Sequence, residues 1–306
     1  MPSSVTTPAR ILLLGGSGQV GFELRRSLAL LGKVVAPSRD ACDLARPHRL
    51  ADVLRHFDAD VIVNAAGYTA VDAAERDRAT AWAVNAESTA VLATFAASSS
   101  IPFVHVSSDY VYDGEKGEPY VEDDAPAPLS VYGESKAAGD AAVAAARGAY
   151  LIFRAGWIYG VHGNNFVRTI LRAAREKDRL QVVTDQWGTP TSAALLADVA
   201  AHALHDAMRR GDGAFPSGVY HVAPEGAATW HAYACQVLTY AARQGMPLRV
   251  SPDAVEATAS AARATPARRP RDTRLDTSKL ARTFGLRMPA WQDGVSRLFH
   301  QLPRSW

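Results

Sequence analysis

The sequence predicts an α/β fold: a Rossmann-like doubly wound parallel sheet with a smaller, mainly C-terminal α/β domain. Three observations carry this. Short apolar runs alternate with alanine-rich segments through the first half, the signature of a parallel sheet covered on both faces. A glycine-rich turn stands directly behind the first run, and after Gly156 the alternation loosens as glycines and prolines interrupt it. At 306 residues the chain exceeds the usual single-core size. The expected division is 1–155 for the sheet domain, with later segments (about 181–222) returning to it in part, and 156–306 for the second domain.

The first strand is "RILLLG" (Arg10 to Gly15), an unbroken apolar run of the kind a buried parallel strand requires. "KVVAPS" follows one helix later, and "ADVIVNAAG", "IPFVHVSS" and "AYLIFRAG" repeat the form. Thr80 to Ser98 and Ser135 to Arg147 are rich in alanine, with polar positions at helical spacing. In the second half, "ALLADVAAHALHDAMRR" predicts a long amphipathic helix. A Gly/Pro-rich loop near Gly211 to Gly218 precedes the strand-like "GVYHVA". The arginine-rich "SAARATPARRPRDTRLD" predicts an extended loop, either a solvated linker or an anion-binding segment.

Lys and Arg total 33 against 31 for Asp and Glu, a balance that argues against a nucleic-acid surface or a polybasic membrane patch and for a small partner. Cys42 and Cys235 stand far apart without metal-ligand spacing, so a disulfide framework and a zinc site are excluded and reducing cytoplasm is expected. The opening "MPSSVTTPAR" has no apolar stretch and reads as a polar tail and not a signal peptide; no run of 18 apolar residues follows.

"GGSGQVG" holds Gly15, Gly18 and Gly21 at three-residue spacing between a strand and the helix "FELRRSLALLG". Glycine is needed where such a turn is tight and where a pyrophosphate must approach the backbone, and the helix N-terminus supplies NH groups and partial positive charge. This predicts a dinucleotide cradle. At the end of the second strand an acid would bind a free ribose hydroxyl; Ser38 and Arg39 stand there instead and suit a 2′-phosphate. NADPH is therefore favoured, with NADH possible because Asp40 is adjacent. Asp43 and Leu44 sit where adenine would lie, though Asp43 equally suits a helix cap or turn.

"YGESK" places Tyr132 and Lys136 four residues apart, on one face of a helix. A phenol that is to trade protons near neutrality needs roughly 4 kcal/mol, about three pKa units, in favour of its anion. One positive charge about 4 Å away is worth about that much at an effective dielectric near 20.

The glycine turn, "NAAG" (Asn64 to Gly67), the serine ending the fourth strand and Tyr132-x-x-x-Lys136 together resemble the extended short-chain dehydrogenase/reductase family. The resemblance covers about Ile11 to beyond Trp291 and includes "NAAGYTAVDAAE", "VSSDYVYDG", "RAGWIYG", "GNNFVRTIL", "DQWGTPT" and "TRLDTSKL". These segments are similar to the branch of the family that reduces the C4 ketone of dTDP-4-dehydro-beta-L-rhamnose, the last step toward dTDP-L-rhamnose for surface polysaccharide such as the O-antigen of lipopolysaccharide. The resemblance implies Tyr132 as proton donor, Lys136 as its electrostatic partner and ribose ligand, and Ser108 as donor to the keto oxygen. It implies a cofactor site built from Gly15, Gly18, Gln19, Val20 and Gly21, then Ser38, Arg39, Asp43 and Leu44, with Ala65, Ala66, Gly67, Tyr68 and Asn85, beside Tyr132 and Lys136. For the sugar nucleotide it implies Ser108, Asp109, Tyr110 and Trp157, the "GNNF" residues Asn164, Asn165 and Phe166, and Arg269 and Arg274 for the diphosphate.

Some members dimerise around magnesium held by acids. Glu23 keeps the first of these and Ala194 replaces the second, so no metal-dependent dimer is expected, and the chain is a monomer or a homodimer by another surface. Two other readings share the fold: a related nucleotide-sugar epimerase or dehydratase, and a regulatory subunit like the beta subunit of methionine adenosyltransferase. Dehydratases of this type add a carboxylate pair, and "SSDYV" offers only Asp109; a regulatory chain need not keep catalytic groups.

Overall fold

The computed structural model describes residues 8–210 and 214–302; most of the polar tail and the start of the Gly211 to Gly218 loop lie outside the described residues. Six parallel strands form the main sheet: β1 (Ala9–Leu14), β2 (Gly32–Val35), β3 (Val61–Asn64), β4 (Phe103–Ser108), β5 (Tyr150–Ala155) and, after the separate β6 (Leu180–Val183), β7 (Gly218–His221). Their order across the sheet is β7-β5-β4-β3-β1-β2, so the chain reverses direction of travel beside β1. A ligand crevice belongs at the carboxyl ends of the strands at that reversal.

Alternation along β1 explains the two covered faces. Ile11 and Leu13 join a core with α1 (Gln19–Leu28); Leu12 and Leu14 join one with α2 (Pro47–Leu54) and α3 (Ser88–Ser98). Next in the chain come α4 (Val131–Ala145), α5 (Phe166–Glu176) and α6 (Ala193–Arg209), the last being the predicted amphipathic helix. It packs beside α1 with Leu196, Ala200 and Leu204 in the same core.

A separate core takes α5, α7 (Trp230–Arg243) and, after β8 (Val255–Thr258) and α8 (Ser278–Phe284), α9 (Trp291–Gln301). There β6 pairs with β8 in its own small sheet. Of the 181–222 segment, α6 and β7 therefore lie with the main sheet and β6 does not. The arginine-rich stretch is a loop over 263–277, apart from isolated bridges such as Tyr120 with Leu275.

Two local departures bear on the site. The helix predicted over Thr80 to Ser98 contains a wide turn at Ala83–Glu87 that holds Asn85; such turns recur at functional sites. The helix predicted from Ser135 begins earlier, because Ser130 accepts the Gly133 N–H and caps it, placing Tyr132 in the first turn.

Candidate active site

One cavity of about 780 Å³ runs along the carboxyl ends of β1 to β5. Its cofactor side is set by backbone geometry. Gly15 has φ +78°, and a Cβ there would lie 2.5 Å from Ala66 N; one at Gly21 would lie 2.0 Å from Gly15 O. At Gly18 a side chain would meet protein only at Gly15 O, 3.3 Å away, so glycine there keeps space on the ligand side. Gly18 also caps α1 without a side-chain hydrogen bond. Open N–H groups over a bare backbone fit a pyrophosphate.

Gln19, Val20, Ser38 and Arg39 line the same cavity, as do Asp43, Leu44 and Ala65 to Tyr68, whereas Gly21 lies behind it. The Arg39 side chain is 76 % exposed, with its Nε paired to Asp43 Oδ1 at 3.5 Å; Asp40 does not line the cavity. Asn85 is outside it too. Its Oδ1 accepts the Tyr68 N–H (2.8 Å) while Nδ2 donates to Tyr68 O and Ser135 Oγ (3.0 Å), tying the β3 loop to α4.

The catalytic candidates meet at the centre. Ser108, Tyr132 and Lys136 all line the cavity, and Ser108 is hydrogen-bonded to the Tyr132 side chain. Burial pushes the phenol up to about 12, opposed by that bond. The expected depression by Lys136 is absent, because the Lys136 ammonium donates to Val106 O at 2.7 Å and desolvation dominates the phenol. A reduction does not need it. The phenol must hold its proton until an alkoxide forms, and an alkoxide is a stronger base than phenolate. Burial also pulls Lys136 down to about 8, opposed by the Asp140 carboxylate.

Asp109 is buried and pushed up to about 6 by desolvation, against hydrogen bonds from Thr273 and Ser108. A Cβ at Gly156 would stand 2.0 Å from its Oδ2. Tyr110 lies edge-on to Tyr132, with ring centroids 5.9 Å apart.

Trp157 and Asn164 close the far wall. Trp157 has φ +51°, a left-handed conformation uncommon for a bulky residue. Its indole lies flat on Trp230, centroids 3.6 Å apart and planes at 8°. Asn165 and Phe166 sit behind this wall: Asn165 caps α5 and donates to Gln19 Oε1 (2.9 Å), and Phe166 packs on Trp230.

Neither Arg269 nor Arg274 lines the cavity. Arg269 forks onto Asp72 at 2.8 and 3.1 Å and hydrogen-bonds Tyr110; Arg274 binds Asp272 and Gly117 O. Trp230, Asp72 and Thr273 are site features that the sequence reading missed. An aromatic opening a helix in "ATW" was the signal for the first; nothing local marks the other two, whose partners lie far along the chain.

Arg26 donates to Asp198 (2.8 Å) and Glu23 (3.4 Å), so a guanidinium stands among the acids beside Ala194. Among the described residues no cluster of three or more His, Cys, Asp or Glu could hold a metal, and no helix is long and apolar enough to cross a membrane.

A family described as "RmlD substrate binding domain" matches residues 9–303. The dTDP-4-dehydrorhamnose reductase of Burkholderia thailandensis is 46 % identical over 289 residues, covering 94 % of this chain and 96 % of that one. The Escherichia coli K12 enzyme of the same name is 44 % identical over 95 % of this chain and 97 % of its own. Among solved structures, dTDP-4-dehydrorhamnose reductase from Bacillus anthracis in complex with NADP superposes with a TM-score of 0.87 at 29 % identity, covering 97 % of this chain and all of that one. A dTDP-glucose 4,6-dehydratase from Streptomyces venezuelae shares the fold at 20 % identity and a TM-score of 0.77. The chain belongs to the dTDP-4-dehydrorhamnose reductase family, within the extended short-chain dehydrogenases/reductases.

Proposed function

We propose that this protein reduces the C4 keto group of dTDP-4-dehydro-beta-L-rhamnose with NADPH, giving dTDP-L-rhamnose. The observation that carries this is the convergence of Ser108, Tyr132 and Lys136 on one cavity with the glycine turn. A reduced nicotinamide bound there supplies the hydride to C4. Tyr132 gives its proton to the C4 oxygen as charge develops, and the Ser108 hydroxyl donates a hydrogen bond to that oxygen, a preorganised dipole where charge develops. Lys136 lines the same cavity and is the group that would hold the nicotinamide ribose. Ketone, hydride and proton balance to the alcohol.

The preference for NADPH over NADH rests on Ser38 and exposed Arg39 where an acid would otherwise stand, and the Bacillus anthracis relative was solved with NADP. Trp157 and Asn164 form the sugar side, and Arg269, whose fork Asp72 holds beside Tyr110 outside the lining, is not assigned to the diphosphate. The nucleotide-binding unit is the main sheet with α6 and β7, and the second core carries the sugar nucleotide. Two unpaired cysteines agree with a cytoplasmic site of action.

The test is to mix the protein with NADPH and dTDP-4-dehydro-beta-L-rhamnose and follow the reduced-nicotinamide absorbance. Stoichiometric loss with formation of dTDP-L-rhamnose is expected. Tight NADPH binding without turnover would overturn the reading in favour of a regulatory subunit.

A further inference from the structure

Beneath Lys136 lies a buried polar cluster that the reaction as described does not use. His105 on β4 is fully buried; its Nε2 lies 3.4 Å from Lys136 Nζ and 3.9 Å from Asp140 Oδ1. Asp140, one turn beyond Lys136 on α4, is anchored through Oδ2 to Arg154 Nε at 2.9 Å, and Arg154 in turn donates to Tyr112 Oη. The other oxygen, Oδ1, is buried with no hydrogen-bond partner. A bare carboxylate oxygen in the interior is costly and calls for a reason.

Its position supplies one: Oδ1 faces the Lys136 side of the cluster, where a negative charge favours the ammonium. Asn64 Oδ1 accepts the Ala66 N–H, which fixes the amide and turns Nδ2 onto His105 Nδ1 at 3.3 Å. With a donor facing Nδ1, the neutral ring carries its proton on Nε2. That proton lies between Asp140 Oδ1 and Lys136 Nζ. At 3.9 Å Asp140 Oδ1 lies beyond hydrogen-bond reach of it, whereas Lys136 Nζ stands 3.4 Å away and, as an amine, can take it on its lone pair. Burial and the neighbouring lysine hold His105 well below its ordinary range, so the ring stays neutral throughout.

We propose that Asp140 and His105 are positioning residues for the reduction: Asp140 holds Lys136 as an ammonium, and the Nε2–H of His105 receives it as an amine. This deepens the proposed reductase and rests on it. The charged and titratable groups facing Lys136 are Asp140 and Tyr132 on its own helix, His105 on β4, Arg154 on β5 behind Asp140, and Asp109 across the cavity. Of these, Asp140 is the one that raises Lys136, against the desolvation that leaves it at about 8.

The experiment titrates Lys136 directly, by the ε-carbon resonance of lysine-labelled full-length protein, assigned by its loss in Lys136→Met. Asp140→Asn is expected to move the midpoint down by about one pH unit or more. The basic limb of the kcat–pH profile should move with it, costing about fivefold in kcat at pH 8 for a one-unit shift, and Asp140→Glu should restore both. Should Asp140→Asn fail to fold with Arg154 left unpaired, Arg154→Gln keeps a donor to Asp140 and removes the competing cation, and is expected to move the midpoint up. An unmoved Lys136 titration in either variant overturns the proposal. Because the resonance is read without substrate, a wild-type protein that turns over no ketone would sink the reductase reading and leave this result standing.

Discussion

The floor and the roof of the cavity are built by different rules. The floor comes from consecutive strand ends: Gly15 to Val20 after β1, Ala65 to Tyr68 after β3, Ser108 at the end of β4, and Tyr132 with Lys136 on one helical turn. Each piece is short-range, so spacing announces it. The roof joins partners far apart in sequence: Trp157 with Trp230 at the lining, Asp109 with Thr273 behind it, and Arg269 with Asp72 outside it. The proposed chemistry sits on the floor, and the roof is proposed to position what the floor acts on. Substitutions in the floor should therefore remove turnover, and those in the roof should shift binding.

The largest expected effect is Tyr132→Phe. Loss of the proton donor should lower kcat by about 10²- to 10⁴-fold with NADPH affinity within about twofold of wild type, since the phenol acts in the transition state. A collapse of cofactor binding in calorimetry would place Tyr132 in the cofactor site and not in the chemistry. Next is Gly156→Ala, where the added methyl collides with the Asp109 carboxyl. A loss of about 1–3 kcal/mol in denaturant unfolding is expected, together with lower kcat; a variant of wild-type stability would show that Asp109 can swing aside.

Roof substitutions follow. Trp230→Ala removes the platform beneath Trp157 and should raise KM for the sugar nucleotide about tenfold, with kcat changed less, on an aromatic pair worth about 1 kcal/mol beyond area burial. If kcat alone fell, the division between floor and roof would be wrong at this point. The smallest effect is at the cofactor rim. Arg39→Ala should weaken NADPH by about five- to tenfold and NADH by less than twofold, because an exposed charged contact is worth about 1 kcal/mol. Equal losses for both would remove the argument for cofactor preference.

Some of the site was visible in the residues and some was not, for identifiable reasons. The glycine spacing behind an apolar strand and the Tyr132 to Lys136 interval needed only strand and helix geometry. Asn85 was named from the family pattern, but the wide turn that aims its amide at Tyr68 and Ser135 appears only when α3 packs against α4. Arg269 was marked as cationic, yet its pairing with Asp72 joins positions 197 residues apart. The ionisation of Tyr132 was misjudged for the same reason. Helical spacing fixes the distance of Lys136 along the chain, but burial decides the dielectric, and burial drives the phenol upward.

The amino-acid sequence alone determined the parallel α/β sheet and the glycine turn behind its first strand, and marked the groups proposed to move the proton, because these depend on local periodicity and on backbone demands that only particular residues meet. Tertiary structure alone decided which of those groups is charged, which arginine is already taken by a carboxylate, and which face of Trp157 is covered. Those properties depend on what each group is packed against, and the packing partners come from strands and loops that sequence order does not bring together.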